Sequence, residues 1–159
     1  MLTSIRLPKL IFMGACMIAL IGMLFNPFIN RADAASQSSV QVTTFAQKLI
    51  GSKYKANEKG PKTFDSSGFT QYVFEKSVKV KLPRTSNEQY KVGKAIQKKE
   101  IKEGDLVFFN TSGKGVSFVG ISLGKDKFIA VTVSKGVSIQ SLDSKYWKEK
   151  YVGAKRVLK

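Results

Sequence analysis

No histidine occurs anywhere in the 159 residues, and the single cysteine, Cys16, lies inside an apolar run near the start of the chain. The first absence excludes imidazole as a general base and as a metal ligand. The second excludes a disulfide framework, and a thiol nucleophile as well once that run is removed. Acidic residues are also scarce, 11 against 27 lysines and arginines, for a formal net charge of +16. A surface of this sign is drawn to polyanions, and charge of this kind speaks to association rather than to fold.

The apolar run explains where the chain is expected to act. Arg6 and Lys9 precede Leu10–Phe25, and Ala32-Asp33-Ala34 follows with small residues at cleavage positions, the layout of a secretory signal peptide. Sixteen residues fall short of the roughly 20 that a bilayer-spanning helix needs. Cys16 does not mark a lipidation site, because the apolar run continues past it to Phe25. The expected organisation is therefore a signal peptide over residues 1–34, a short polar leader over 35–40 and one domain over 41–159. Of the charged residues, Arg6, Lys9, Arg31 and Asp33 fall in the first 34, leaving 24 basic and 10 acidic residues and a net +14. An exported domain so charged meets wall polymers and anionic lipid headgroups rather than nucleic acid, and no nucleic-acid-binding motif is present.

Along the domain, Val42, Phe45, Ala46, Leu49 and Ile50 recur at helical spacing and predict an amphipathic helix ended by Gly51. Lys53–Thr63 reads as a loop. A second helix is expected from Ser66, capped by Asp65 or Ser66, with Phe69, Tyr72, Val73 and Phe74 on its apolar side. Pro83 breaks the chain, and Thr85 or Ser86 caps a third short helix through Val92. Beyond the lysine-rich loop Lys98–Gly104 the period changes to that of strands: Leu106–Phe109, Val116–Leu123, Phe128–Val133, Val137–Leu142 and a last one near Val152–Leu158. Helices followed by an antiparallel sheet make an α+β domain, with the N-terminal helices packed on a central sheet.

Read alone, Phe64-Asp65-Ser66-Ser67-Gly68-Phe69 is a helix cap with a close-approach glycine. It is followed by Pro83-Arg84-Thr85-Ser86 with Gln89, by Gly104-Asp105-Leu106-Val107-Phe108-Phe109, by Val116-Ser117-Phe118-Val119-Gly120-Ile121, by Phe128-Ile129-Ala130 and by Tyr146-Trp147 with Tyr151–Arg156. In this order and spacing, from about Phe45 to Leu158, the chain resembles the NlpC/p60 cell-wall endopeptidases. The resemblance implies a papain-like α+β fold and an ancestry among enzymes that cut peptidoglycan stem peptides next to D-glutamate.

It also implies that catalysis has been lost. The family's cysteine nucleophile falls at Ser66, its histidine base at Phe118 and the group orienting that base at Ala130. A serine hydroxyl needs an adjacent base to take its proton, and no lysine aligns with either histidine position. Ahead of Phe64, Ala56-Asn57-Glu58 replaces an aromatic residue and two glycines, so that wall of the cleft is expected to be remodelled. Tyr54, Asp65 and Ser67 match positions that in the family hold the free amine end of the stem peptide, and Asp65 is suited to pair with an ammonium group. For Asp65 and Ser67, helix capping competes with that role. Arg84, Asp105, Phe108, Phe109 and Trp147 are expected to serve the fold. Strand alternation puts Phe118 on one side with Val116 and Gly120, and predicts that it is buried in the sheet.

The reading is a secreted, wall-associated pseudo-endopeptidase that needs no cofactor or metal. Its ligand is expected to be peptidoglycan stem peptides or an anionic wall polymer, with an active cell-wall hydrolase as a further partner whose action it modulates. No stable membrane insertion is expected after signal cleavage. The alternatives are a hydrolase using Ser66 and a protein-interaction module.

Overall fold

The computed structural model describes residues 31–159. The expected signal peptide, including Cys16, lies outside them except for its last four residues, and those open a helix. Helix α1, Arg31–Gln47, runs through the segment expected to be a polar leader and stops earlier than the apolar spacing suggested. Val42 and Ala46 are fully buried with Phe45 and Leu49 packed beside them, whereas Ile50 lies in the following turn, half exposed. The helix is therefore longer at its N-terminal end than its apolar stripe, because Ala34, Ala35 and Gln37 can sit in a helix without packing. Among the described residues no helix is long and apolar enough to cross a membrane.

Two short strands, β1 (Lys53–Tyr54) and β2 (Thr63–Phe64), pair in parallel inside the expected loop and lead into α2, Ser66–Val78. Helix α3, Ser86–Gln89, is capped as expected: Thr85 Oγ1 accepts from the Glu88 N–H, and the Glu88 carboxylate reaches back to the Thr85 N–H. It is one turn long rather than extending to Val92.

Strands β3 (Lys94–Ile96), β4 (Leu106–Phe109), β5 (Phe118–Gly124), β6 (Lys127–Thr132), β7 (Gly136–Ser141) and β8 (Tyr151–Arg156) form one antiparallel sheet in the order β3-β8-β4-β5-β6-β7. Helix α4, Lys145–Lys150, precedes β8. Strand β4 is buried along its whole length, as its central place and unbroken apolar run require.

The alternation of the strands divides the core in two. On one face Leu106, Phe108, Val119, Ile121, Ile129 and Val131 pack against Phe69, Val73 and Phe74 of α2 and against Val42 and Ala46 of α1. On the other, Val107, Phe109, Phe128 and Ala130 pack with Trp147 of α4 and Ala154 of β8. Behind the sheet, buried Asp105 accepts from Arg156 Nε and Nη2 at 2.8 Å each and from the Lys102 N–H at 2.8 Å, so Asp105 serves the fold, as expected.

Candidate functional site

The N-terminus of α2 is fixed by its own sequence. Asp65 is the N-cap, with extended backbone and a carboxylate that accepts from the Gly68 N–H at 2.7 Å. The loop before it lies so close that a Cβ on Gly68 would come 2.2 Å from the Glu58 carbonyl oxygen, so only glycine fits there. Through this contact, and through the Asp65 N–H donated to Glu58 O at 2.8 Å, the loop is clamped onto the start of the helix. Asn57 takes a left-handed backbone (φ 63°), a conformation that asparagine tolerates better than most residues, where the family pattern has a glycine.

Asp65 has a second partner that sequence separation hides. Arg84, 19 residues on, donates from Nη1 to Asp65 Oδ1 at 3.0 Å and from Nη2 to Oδ2 at 2.5 Å, a two-pronged pair. Its Nη1 also donates to Ser67 Oγ at 3.1 Å, while Ser67 donates to Asp65 at 3.2 Å. Arg84 thus holds the start of the helix through Asp65 and Ser67. Burial alone pushes the Asp65 carboxyl up, but the Arg84 hydrogen bond, the Gly68 N–H, the Arg84 charge and Ser67 outweigh it and hold the group below the usual carboxylate range. With both oxygens engaged by Arg84, Asp65 meets an incoming ammonium as part of a paired unit rather than as a free anion.

The sign of that shift makes a prediction. A carboxyl whose folded pKa lies below its unfolded value, about 3.9, contributes stability that is fully present above that value and is lost as pH falls through the folded pKa. Arg84→Ala is expected to destabilise the protein by about 1.5 kcal/mol at neutral pH, the low end of the range for hydrogen bonds to charged groups, because the Arg84 side chain is 35% exposed and solvent screens the pair. The difference from wild type should shrink below about pH 4, as Asp65 protonates and the pair is lost in both. Urea unfolding between pH 2.5 and 7 measures this; a gap that stays constant with pH would show that Arg84 stabilises through packing.

Ser66 is the first residue of α2 and faces a cavity of about 350 Å³ whose lining includes Tyr54, Asn57, Asp65, Ser67, Ser117 and Phe118. Four residues singled out from the sequence, Tyr54, Asp65, Ser66 and Ser67, therefore meet in one cleft, with Phe118 opposite. Ala130 does not line it; it is fully buried in the second core. No lysine borders this cavity, and no hydrogen bond involves the Ser66 hydroxyl among the described residues.

Phe118 departs from expectation. It is only partly buried, because it is the first residue of β5 and its ring borders two openings instead of being sealed within the sheet. The second opening, about 560 Å³, has Trp147, Tyr146, Gln140 and Lys135 among its lining residues and shares Thr111, Phe118 and Val133 with the first. The Phe118 ring leans on Trp147 with centroids 4.9 Å apart, and Trp147 Nε1 donates to Gln140 Oε1 at 3.2 Å. Trp147 is thus both core and cleft wall. Sequence reasoning assigned it to packing alone, since alternation and burial pattern do not show which buried ring borders an opening.

The NlpC/P60 family model matches residues 51–156. Murein DD-endopeptidase MepH of Escherichia coli K12 is 38% identical over 134 residues, which cover 81% of this chain and 49% of that protein. The chain thus spans about half the length of that relative. The probable endopeptidase NlpC homolog of Haemophilus influenzae is 32% identical over 137 residues, covering 86% of this chain and 72% of that protein. Among solved structures, an NlpC/P60 family protein from Bacillus cereus superposes with a TM-score of 0.71 at 31% identity, over 76% of this chain and 40% of that one. Sequence and fold agree, and this chain belongs to the NlpC/P60 family.

Proposed function

We propose that this protein is a secreted, catalytically inactive NlpC/P60 domain that binds peptidoglycan stem peptides in the cleft at the start of α2 and competes with active hydrolases for them. One observation carries the reading: the cleft keeps Tyr54, Asp65 and Ser67 on one side, while Ser66 and Phe118 stand where a nucleophile and its base would be needed. A serine at a helix N-terminus gains some stabilisation of its anion, but without a base its proton has no acceptor, and the leaving amine has no donor. Lys135 borders the neighbouring opening, which shares Phe118, rather than the cavity that Ser66 faces. Relatives named as endopeptidases, including murein DD-endopeptidase MepH, support peptidoglycan as the ligand.

The test is incubation of the purified protein with isolated cell walls, followed by sedimentation and assay of the released peptides. Binding without release is the expected result. Release that disappears in Ser66→Ala would overturn the reading and establish a serine hydrolase. Because the net charge supplies a long-range part of the attraction, binding should weaken steeply between 0.1 M and 1 M salt, where the Debye length falls from about 10 Å to about 3 Å. Retention unchanged at 1 M salt would assign the affinity to the cleft alone.

A further inference from the structure

Away from the cleft, three lysines gather around one recess. Lys98 and Lys99 belong to the 3-10 turn Lys98–Glu100 between β3 and β4, and Lys125 to the hairpin turn between β5 and β6. Together they border a cavity of about 350 Å³ that has no residue in common with the two openings beside Phe118. Ser122, Gly124 and Asp126 complete its polar lining.

The charges there are unbalanced. The ion pairs among the described residues are Lys55 with Glu58, Arg84 with Asp65 and Arg156 with Asp105, so none of the three lysines has a carboxylate partner. Asp126 is the one acid in the lining, which leaves the recess with a net charge of two positive. Folding brings these three exposed lysines from segments some 25 residues apart to the border of one recess, where an anion would meet them together. Their placement is also specific. Lys125 and Asp126 both have left-handed backbone, φ 48° and 57°, the two central positions of a hairpin turn that Asn-Gly would fill at least cost. Lysine lacks the short side chain that lets asparagine hydrogen-bond locally in this region. Lys98 Nζ stands 5.6 Å from the Tyr151 ring centroid, which steadies its ammonium. A neutral donor is present as well: Ser122, 1% exposed, accepts from the Gly124 N–H at 3.1 Å and keeps its hydroxyl proton available for a ligand.

The residue types narrow the ligand. Guanidinium groups suit planar, two-pronged partners, but Arg84 and Arg156 are already committed to Asp65 and Asp105. Lysines are point charges that suit a tetrahedral phosphate approached from several sides. A membrane surface is disfavoured, since none of the exposed large apolar side chains, such as Val133, Ile139 or Tyr146, lines this recess to enter a bilayer. Lys127, next to the turn in sequence, is exposed as well.

We propose that this recess binds a phosphate group of a phosphodiester-linked polyol polymer, and so attaches the domain to an anionic chain while the cleft stays open. The inference is independent of what the cleft binds. The experiment titrates purified protein with poly(glycerol phosphate) oligomers, comparing wild type with the triple variant Lys98→Gln, Lys99→Gln, Lys125→Gln. A control triple variant, Lys48→Gln, Lys62→Gln, Lys81→Gln, removes the same charge from exposed positions elsewhere. The recess variant should lose at least about tenfold more affinity than the control, with a shallower salt dependence. In wild type, amide NMR shifts on adding oligomer, or inorganic phosphate at higher concentration, should concentrate at residues 98–99 and 122–126. Equal loss in both triple variants, or shifts spread over the lysine-bearing surface, would overturn the proposal and leave only diffuse attraction. Tighter binding to phosphatidylglycerol-containing vesicles than to the oligomer, lost in the recess variant, would overturn it in favour of a membrane. Stem-peptide binding should be the same in all three proteins, so its absence would count against the cleft reading and not against this site.

Discussion

Ser66→Cys is expected to leave peptidoglycan stem peptides intact, with fragment release indistinguishable from that of the wild type. The substitution restores a sulfur nucleophile at the start of α2, where the helix dipole favours an anion. A free thiol titrates near 8.5, and the strongly depressed values of reactive cysteines need a cationic partner beside them. Phe118 supplies the reverse: an apolar ring in the same cavity, resting on Trp147, which raises the cost of charge there. Thiolate alone would still be insufficient, because the leaving amine must be protonated, and general acid–base help is worth about 10²–10⁴-fold in rate.

The smallest change expected to give turnover is Ser66→Cys with Phe118→His and Ala130→His, and its three parts are not equally easy. Phe118 is half-buried beside an opening, so imidazole can take its place with one edge in water. Ala130 is fully buried, and a Cβ built on neighbouring Gly120 would already stand 3.1 Å from the Ala130 Cβ and 2.6 Å from the Phe128 ring. A histidine at 130 must displace that packing, at about 1–3 kcal/mol for an overfilled core. Release of stem-peptide fragments by wild type, single and triple variants decides the matter. Clear cleavage by Ser66→Cys alone would mean that a lysine or tyrosine already acts as acid and base, and would sink the account of lost catalysis.

Much of the frame was legible because it is written locally. Apolar runs rich in valine, isoleucine and phenylalanine marked β4 to β7 within two residues, and Asp65 and Thr85 marked the starts of α2 and α3. What escaped had weak periodicity or none. Helix α4 offers only Tyr146 and Trp147 as apolar residues within Lys145–Lys150, and edge strand β3 buries only Ile96. The same limit applied to the site. Residues adjacent in sequence, Asp65 to Ser67, could be read together, while the pairing of Asp65 with Arg84 depends on how α2 and the turn at Pro83 fold back on each other. For Phe118, alternation grouped it correctly with Gly120 but not with Val116, which lies ahead of β5 and packs on the opposite core, and it did not show that Phe118 begins the strand, which decides its exposure. The lysines of the second recess were counted in the net charge without any sign that three would converge.

Phe109→Ala is expected to cost about 3–5 kcal/mol, whereas Phe118→Ala should cost only about 1–2 kcal/mol, although both rings belong to the same aromatic cluster. Phe109 is fully buried at its centre, stacked on Phe128 at 5.0 Å between centroids and edge-on to Trp147 at 4.8 Å, with Tyr151 at 6.0 Å and Phe118 at 6.1 Å. Truncating it removes the shared neighbour of four rings and leaves a cavity that strands β4, β5 and β8 cannot close, because Phe109 pairs with Phe118 on one side and Tyr151 on the other. Phe118 keeps one side open to the cleft, so its loss removes less buried area and leaves a space that water can enter. Its role in the sheet is therefore smaller than its role in shaping the cleft: Phe118→Ala should join the two openings beside it into one continuous trough. Urea denaturation of the two variants checks the order of the energies. A loss for Phe118→Ala equal to that for Phe109→Ala would show that the ring is sealed in solution, and would remove the partition it makes between the Ser66 cavity and the Trp147 groove.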